Sequence, residues 1–335
     1  MKAIAKRSYQ RGKYMEMREV SISEYLEFVA RKGFVEIEGQ KIELKPIEVS
    51  RLEPTREELT DISTTVWSFP ERGSWATHRG DYRGNWPPQI PRALILMYTS
   101  PGDLVLDPMV GSGTTLIEAK LLGRRAIGVD INYDAVMLTI HRMYWLEQAL
   151  KQFKSRVLLP KVGDLDVDTI INTEWKVYHG DARRLTAIPD ESVDLVATHP
   201  PYFNTIEYGS GLPGDLSSAK TLEEYLDGIE EIANECFRVL KPGKYCAILI
   251  GDTRIHRHYV PLSYYVLNAF LRAGFILKEE VIKIQHKMKI TREVWQKIKE
   301  RDFLLIYHEK LFIFRKPQNE EERIKLRHSA GLKLK

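Results

Sequence analysis

The sequence predicts an α/β protein built on a doubly wound, mainly parallel sheet. From about residue 60 onwards, short apolar runs typical of buried strands alternate with longer runs that have the apolar spacing of amphipathic helices. Seven runs are strand-like, and the last two follow each other closely, which suits an antiparallel pair at an edge. These observations indicate a Rossmann-like sheet of seven strands, preceded by a small α+β extension.

The order of the elements follows from local signals. The apolar run at 104–108 is followed by a Gly-Ser-Gly turn and then by a helix that ends at Gly123. The run at 221–243 has helical apolar spacing and stops at a Pro-Gly pair, which cannot continue a helix. The other expected strands are at 125–130, 175–181, 193–202, 244–252, 275–284 and 303–316, and the other expected helices are at about 133–154 and 264–274.

A small module precedes the sheet. Residues 1–20 are rich in basic side chains and form an arm, and a Ser before an amphipathic run predicts a short helix at 22–32. Alternation around a Glu-Gly-Gln turn predicts a hairpin at 34–45. We therefore expect a basic arm with a small helix and hairpin module at 1–60, a main domain at 61–318 and a basic tail at 319–335.

The bulk composition argues against several classes of protein. The chain has 335 residues, of which 43% are hydrophobic, as in ordinary globular domains. Its two cysteines, Cys236 and Cys246, form no Cys-x-x-Cys pair, so we expect buried free thiols and no metal site. No apolar signal segment or membrane-length apolar run is visible, so we expect a cytoplasmic protein without a membrane partner. Scarce Asn and Gln beside plentiful Lys, Arg and Glu are typical of a thermophilic source.

Positive charge is concentrated at the two ends of the chain, although the net charge is only +4. Tyr9 and Tyr14 are interleaved with the N-terminal cations, a pattern that suits a phosphate-rich partner such as nucleic acid. A solvated surface or a mobile tail fits the same pattern, and the oligomeric state is not readable. The candidates for contacting nucleic acid are Lys6, Arg7, Arg11, Lys13 and Arg257.

Acidic residues follow three successive expected strands. Asp107 precedes the glycine turn, Asp130 ends the second strand, and Asp181 follows the third. Glycines at such a turn let a ligand approach the backbone, and the acid after the second strand commonly meets ribose hydroxyls. An Asp in place of the first glycine of a dinucleotide turn suits a ligand that carries an ammonium group. The pattern therefore favours S-adenosylmethionine over a nicotinamide or flavin cofactor.

The run Thr-His-Pro-Pro-Tyr-Phe-Asn follows the fourth expected strand, at 198–204. This run resembles the motif of the amino-methyltransferases, which modify the exocyclic amines of nucleic-acid bases. Such an amine is a poor nucleophile because its lone pair is delocalised into the ring, so acceptors that hold its hydrogens out of the ring plane favour attack on a methyl group. Prolines lack N–H groups and present their carbonyls rigidly, and the carbonyl of Pro200 is the expected acceptor. Tyr202 offers a face on which an extruded base can stack.

Taken together, the glycine turn, the acid of the second strand and the Pro-Pro-Tyr run resemble the amino-methyltransferases that modify exocyclic amines of nucleic-acid bases. The resemblance covers about residues 65–316, in a gamma-like motif order. It implies a methyltransferase sheet, S-adenosylmethionine as cofactor and two sets of site residues. The cofactor-binding set is Phe69, Pro70, Asn85, Asp107, Pro108, Gly111, Ser112, Gly113, Thr114, Thr115, Asp130, Ile131, Asp181 and Ala182. The catalytic set is His199, Pro200, Pro201, Tyr202 and Asn204.

His199 departs from the family pattern, which usually has Asp, Asn or Ser there. A neutral imidazole can accept a hydrogen bond and a protonated one cannot, so we expect activity to fall towards acid pH. Ser, and not Asp, is typical of the N4-cytosine members of the family. The absence of Asp therefore favours N4 of cytosine over N6 of adenine.

The kind of nucleic acid is inferred from how much chain lies outside the sheet. Only the N-terminal module, a loop at 203–220 and a short tail remain for reading a duplex, which favours structured RNA, for example ribosomal RNA, over DNA. Two alternatives stay open. One is a site-specific DNA N4-cytosine or N6-adenine methyltransferase, and the other is a non-catalytic assembly factor that binds S-adenosylmethionine.

Overall fold

The fold is known from a computed structural model of the chain. The structure describes residues 14–37, 39–59, 62–157, 160–203, 214–286 and 302–331. The predictions for Asn204 and for the four N-terminal cations up to Lys13 lie outside these described residues.

Strands and helices alternate through most of the described chain. The strands are β1 (Arg18–Glu19), β2 (Phe34–Ile37), β3 (Gln40–Glu43), β4 (Val66–Ser68), β5 (Leu104–Asp107), β6 (Arg125–Asp130), β7 (Lys161–Val162), β8 (Leu165–Asp166), β9 (Trp175–His179), β10 (Val193–Thr198), β11 (Leu240–Gly251), β12 (Thr253–Ile255), β13 (His258–Val260), β14 (Ile276–Ile284) and β15 (His308–Arg315). The helices are α1 (Ile22–Arg31), α2 (Gln89–Tyr98), α3 (Thr114–Leu121), α4 (Tyr133–Arg156), α5 (Val167–Asn172), α6 (Leu222–Val239), α7 (Leu262–Ala273) and α8 (Glu320–Lys325).

The main sheet has the strand order β1-β9-β6-β5-β10-β11-β15-β14-β4. Strands β9, β6, β5, β10 and β11 are mutually parallel, and β15 is antiparallel to both β11 and β14. The seven predicted strands therefore form the centre of the sheet, which confirms the predicted fold class. The last two predicted strands, β14 and β15, form the expected antiparallel pair. The prediction that this pair lies at the edge of the sheet is wrong, because the short strand β4 pairs with the outer side of β14.

Helices cover both faces of this sheet. Along β11, Ala247 and Leu249 belong to one buried apolar cluster, whereas Cys246, Ile248 and Ile250 belong to another. The first cluster includes apolar side chains of α2 to α5, and the second includes those of α6 and α7. Alternating side chains thus face two different helix layers, as a doubly wound sheet requires.

The carboxyl ends of the parallel strands meet at one edge of the sheet. Strands β5, β6, β9 and β10 end at Asp107, Asp130, His179 and Thr198, and their registers place these ends side by side. Ligands of open α/β sheets bind at this edge, near the point where the strand order reverses. Here the reversal lies between β5 and β10.

The N-terminal extension is joined to the main sheet. The hydroxyl of Ser21 caps α1, and β2 and β3 form the predicted hairpin. Strand β1 pairs antiparallel with β9, and the hydroxyl of Tyr25 on α1 lies 2.7 Å from Nδ1 of His141 on α4. Except for Met17, its buried apolar side chains share the cluster of the α2 to α5 layer, so the described part of the segment before residue 61 has no separate core.

Four segments differ from their sequence predictions. Strand β10 ends at Thr198, before the proline pair, and β11 begins at Leu240, inside the segment predicted as a helix end. Strand β15 begins at His308, and residues 303–307, expected to belong to it, form no strand. The first part of the expected tail forms the short helix α8, whose Glu322 accepts a 2.8 Å hydrogen bond from Arg315. Among the described residues, no helix combines the length and apolarity needed to cross a membrane.

Candidate active site

A cavity of about 400 Å³ lies at the carboxyl edge of the sheet. It is bounded by the ends of β5, β6, β9 and β10, by the segment at 82–86 and by the segment that begins at Gly214. Most of the residues predicted to bind cofactor or to act in catalysis lie on its wall: Asn85, Asp107, Pro108, Gly111, Ser112, Thr114, Asp130, Ile131, Asp181, Ala182, His199, Pro200, Pro201 and Tyr202.

Two glycines shape the turn between β5 and α3, one on the cavity wall and one behind it. Gly111 and Gly113 have φ angles of 53° and 83°, in the left-handed region that other residues rarely adopt. A Cβ on Gly111 would lie 3.1 Å from the ring of Tyr82, and one on Gly113 would lie 3.0 Å from Thr139. Gly113 therefore shapes the turn from behind the cavity wall, as the N-cap of α3.

Asp107 is a buried carboxylate that joins two motifs. It accepts hydrogen bonds from the hydroxyls of Thr115 (2.5 Å) on α3 and Thr198 (2.7 Å) at the end of β10, and from the backbone N–H of Met109 (3.2 Å). Burial raises its pKa to about 6, although these three donors act in the opposite direction. Thr115, predicted to contact cofactor, thus acts by holding Asp107.

Asp130 is buried at the end of β6. Its two oxygens accept hydrogen bonds from the backbone N–H groups of Gly111 (2.8 Å) and Asn132 (2.9 Å). Burial raises its pKa to about 7, with smaller contributions from the negative charges of Asp215 and Asp107. A buried carboxylate of this kind favours a ligand that supplies positive charge or hydroxyl donors.

Asp181 lies on the cavity wall after β9, where its carboxylate is held by Arg183. The Arg183 guanidinium donates to both Asp181 oxygens, with Nη2 2.6 Å from Oδ2 and Nε 3.0 Å from Oδ1. A Cβ on Gly214 would lie 2.4 Å from Arg183 Nη2, so only glycine fits that position without displacing the arginine. The pair fixes the orientation of the acid that we expected to face an adenine ring.

In the segment before α2, Asn85 lines the cavity, whereas Phe69 and Pro70 do not. Phe69 does not line the cavity, because its ring is buried against Trp67, with 6.2 Å between centroids, and Pro70 is exposed. The prediction that these two residues close over the cofactor is therefore wrong. The Asn85 amide, in contrast, donates to the hydroxyl of Ser112 (3.3 Å) and so reaches the glycine turn.

The proline pair leaves β10 and turns along the cavity wall. The carbonyl of Pro201 accepts a 2.9 Å hydrogen bond from the hydroxyl of Tyr225 on α6, which fixes the loop from outside. Within the described chain, no donor reaches the carbonyl of Pro200. The Pro201 carbonyl is thus tied to α6, whereas the Pro200 carbonyl has no hydrogen-bond partner among the described residues.

A row of polar side chains backs this loop. His199 Nε2 lies 2.7 Å from the Tyr202 hydroxyl, which donates to Glu309 Oε1 (2.6 Å), and Lys283 Nζ donates to Glu309 Oε2 (2.7 Å). The His199 ring is stacked on Trp86, with 6.1 Å between centroids and 26° between planes. Glu309 also lines the cavity.

The pKa values of two members of this row, His199 and Glu309, are strongly shifted. Burial lowers the pKa of His199 to about 4, and Lys283 acts in the same direction, while the Glu309 charge opposes both. Burial raises the pKa of Glu309, but Lys283, His199 and Tyr202 together outweigh burial and bring it down to about 2. At neutral pH the imidazole is therefore uncharged and the carboxyl group is ionised.

Several wall residues carry no recognisable signal in the sequence. Trp86 lines the cavity next to the predicted Asn85, but it was not itself predicted. Gly214 and Asp215 also line the cavity, and they follow a segment without a motif. The expected nucleic-acid contact Arg257 lies in the β12–β13 turn, where it forms a 2.8 Å ion pair with Asp302. It is not on the cavity wall.

This architecture defines the class of protein: a doubly wound α/β protein whose nucleotide-type pocket opens onto a rigid proline loop with hydrogen-bond acceptors. Family comparison gives the particular assignment. The model of the DNA methylase family matches residues 6–140 and 193–334, so the chain belongs to this family. A second model, that of the RMKL-like methyltransferase domain, matches residues 86–218.

Individual relatives match parts of the chain. The type II methyltransferase M2.MboI of Moraxella bovis is 34% identical over 93 residues, covering 28% of this chain and 34% of the relative. The tRNA (guanine(10)-N2)-dimethyltransferase of Methanothermobacter thermautotrophicus is 32% identical over 147 residues, covering 44% of this chain and 34% of the relative. The chain thus spans about a third of the length of these curated relatives.

One solved structure matches the chain at low identity. The SAM-dependent methyltransferase of Methanosarcina mazei is 17% identical, covers 67% of this chain and 97% of its own, and has a TM-score of 0.41.

Proposed function

We propose that this chain transfers a methyl group from S-adenosylmethionine to the exocyclic amine of a nucleic-acid base, with N4 of cytosine in structured RNA as the preferred target. One observation carries the proposal. Two residues that carry acceptors suited to the hydrogens of an amine, His199 with its uncharged ring and Pro200 with its carbonyl, line the same cavity as the buried Asp107 and Asp130.

The cavity fits S-adenosylmethionine on three counts. Its volume lies in the range of cofactor pockets, its glycine turn has no side chains that would block a ligand, and its carboxylates favour ammonium and hydroxyl groups. Asp130 is placed to accept ribose hydroxyls, and Asp107 lies where a positively charged amino-acid end would be stabilised. When bound, S-adenosylmethionine supplies an activated methyl group on a positively charged sulfur.

The proline loop provides what the target amine needs. His199 and the Pro200 carbonyl hold its two hydrogens, which localises the nitrogen lone pair for attack. The Tyr202 ring, kept in place by its hydrogen bond to Glu309, offers a stacking face for an unpaired base. Both acceptors are uncharged at neutral pH, so the site suits a neutral amine with two hydrogens.

Structured RNA is the preferred partner because the described elements outside the main sheet are short. They are helix α1, the hairpins β2–β3, β7–β8 and β12–β13, and α8. Bases in loops are already partly unstacked, so an RNA site demands less recognition surface than a duplex. The name of the tRNA dimethyltransferase relative supports the same choice.

Methylation of DNA is the second candidate. The family model is described as DNA methylase, and M2.MboI is a type II methyltransferase. A non-catalytic assembly factor is less well supported, because such a protein has no need for a neutral acceptor beside an available carbonyl in the cofactor cavity.

Nucleoside analysis of total RNA and genomic DNA, from cells with and without the gene, tests the proposal. We expect N4-methylcytidine to disappear from RNA alone. Its loss from DNA alone would establish the second candidate. If neither nucleic acid changed while the purified protein still bound S-adenosylmethionine, the assembly factor would replace both.

A further inference from the structure

Three strands bring together a chain of hydrogen bonds behind the proline loop. Gly251 on β11, Glu309 on β15 and Lys283 on β14 are direct cross-strand partners. Glu309 and Lys283 therefore point to the same face of the sheet. Tyr202 packs against Gly251, where a Cβ would lie 2.8 Å from its ring, and its hydroxyl meets Glu309.

The hydrogens in this chain can be counted. Glu309 is ionised and only accepts, taking one proton donor from Lys283 and one from Tyr202. The Tyr202 hydroxyl has a single hydrogen, which is committed to Glu309 over 2.6 Å. Its oxygen must then accept from His199 Nε2, 2.7 Å away, so Nε2 carries the imidazole proton.

We propose that Glu309 and Lys283 are positioning residues that set the tautomer of His199, placing its proton on Nε2 and leaving the lone pair of Nδ1 to accept a hydrogen from the substrate amine. This inference rests on the proposed function for the identity of the amine, but the tautomer itself is a property of the free protein.

The surroundings of Nδ1 support this assignment. Nδ1 is buried and has no hydrogen-bond partner among the described residues, while the ring as a whole lines the cavity. Stacking on Trp86 fixes the plane of the ring. The backbone of Gly84 raises the pKa of the His199 ring, but burial outweighs it, and Nδ1 has no hydrogen-bond partner among the described residues.

This arrangement explains how a histidine can stand where the family usually has a smaller acceptor. An imidazole has one donor and one acceptor when neutral, and the wrong tautomer would point an N–H group at the amine. The buried ion pair of Lys283 and Glu309 makes the wrong tautomer unfavourable, because Tyr202 would have to withdraw its hydrogen from a carboxylate.

The decisive variant is Glu309→Gln, which keeps the size of the side chain. Lys283 then holds the Gln carbonyl oxygen, so the amide NH₂ faces Tyr202 and becomes a donor. Tyr202 must donate to His199 Nε2, and the imidazole proton moves to Nδ1. The hydrogen-bond chain stays intact with its direction reversed.

The direct measurement is the ¹⁵N NMR spectrum of the histidine rings in the full chain without substrate, with His199 assigned from a His199→Asn spectrum. We expect the Nε2–H form in the parent protein and the Nδ1–H form in Glu309→Gln. An Nδ1–H form in the parent protein would overturn the inference, whatever the protein methylates.

The second test measures methyl-transfer kinetics, with total RNA from cells lacking the gene as the methyl acceptor. We expect Glu309→Gln to lower kcat on the order of 100-fold, the loss seen when one preorganised hydrogen bond to a reacting group is removed. The KM for S-adenosylmethionine and the thermal midpoint should change little. A reversed tautomer with unchanged kcat would disprove the role of Nδ1. The expected tautomers with no methylation of any RNA or DNA by the parent protein would instead refute the proposed function.

Discussion

At the scale of single residues, the environment of a side chain decides its chemistry more than its type does. An exposed histidine titrates near pH 6.5, whereas burial lowers the pKa of His199 to about 4. The expectation that a histidine here would make the site sensitive to acid is therefore refined. The ring keeps its acceptor through the whole neutral and mildly acidic range.

The pH dependence of kcat tests this refinement. We expect kcat to stay constant from pH 8 down to about 5 and to fall only as the pH approaches the pKa of about 4, because protonation removes the lone pair of the ring. Rates would be measured by tritium transfer to RNA. A loss of activity centred near pH 6.5 would show that His199 has an ordinary pKa in the working enzyme.

The matched variants are His199→Ala and His199→Asn. Alanine removes the acceptor, and kcat should fall on the order of 100-fold, whereas the Asn side-chain carbonyl can replace part of it. Binding of S-adenosylmethionine should be similar in both. Equal activity of the two variants would mean that no acceptor is needed at this position.

Asp130 gives a second prediction at this scale. Burial raises its pKa to about 7, so the free protein holds a proton there through much of the range below neutrality. Hydroxyl donors of a bound cofactor favour the ionised form, so binding should release a proton and should weaken as the pH falls below about 7.

Calorimetric titration of S-adenosylmethionine at pH 6.5 in buffers of different ionisation enthalpy measures this proton. We expect release in the parent protein and little release from Asp130→Asn, whose affinity should fall about tenfold. Identical apparent enthalpies in all buffers for the parent protein would contradict the prediction.

The cofactor residues were predictable where a short run of sequence determines the geometry. Asp107, the glycine turn and Asp130 each lie next to a strong strand signal, and all three are on the cavity wall. Phe69 was misplaced because its ring can pack against Trp67 or against a ligand, and the sequence does not distinguish the two. Lys283 could not be found, since its partner Glu309 is 26 residues away and meets it only through strand register.

At the scale of elements, the register of β11, β15 and β14 builds the support of the active site. The φ angle of Gly251 is not in the left-handed region, so its backbone can accommodate alanine. An alanine Cβ would nevertheless lie 2.8 Å from the ring of Tyr202. We expect Gly251→Ala to push the Tyr202 ring aside and to lower kcat at least tenfold with a small change in thermal midpoint.

Gly80→Ala is the control for this substitution. Its Cβ would meet only Arg72, at 3.6 Å, which is an ordinary contact, and Gly80 does not line the cavity. It should keep the kcat of the parent protein. If both glycine variants reduced activity equally, the reduction would reflect general disturbance and not displacement of Tyr202.

Apart from the ten-residue helix α2, the elements that the sequence missed are short and depend on tertiary partners. Strands β1 and β4 have two and three residues, too few for a period to show, and each exists because a longer strand offers unpaired backbone groups. Long elements with strong apolar periods, such as α4 and α6, were placed within a few residues.

At the scale of the whole molecule, the distribution of charge gives a prediction about binding. Charge reversal at Lys6, Arg7, Arg11 and Lys13 should weaken affinity for RNA and reduce the slope of log K against log salt, by about 0.7 for each phosphate that the arm no longer neutralises. Fluorescence anisotropy with a labelled RNA at several salt concentrations gives both values.

The control reverses the charge of four exposed cations that lie at the amino ends of the strands, across the sheet from the cavity. They are Arg125, Lys154, Lys176 and Lys278. It changes the net charge equally and should leave the salt slope unchanged. An equal effect of the two sets would remove the N-terminal arm from the binding surface and leave only a general charge effect.

One buried carboxyl group has a mechanical consequence for the molecule. Asp107 is tied through one oxygen to the first turn of α3 and through the other to the last residue of β10. The start of α3 and the end of β10 are therefore coupled through this one carboxyl group, and a movement of either element displaces the other. Under the proposed function, the alignment of the methyl donor with the target amine therefore depends on Asp107, which lies where the strand order reverses.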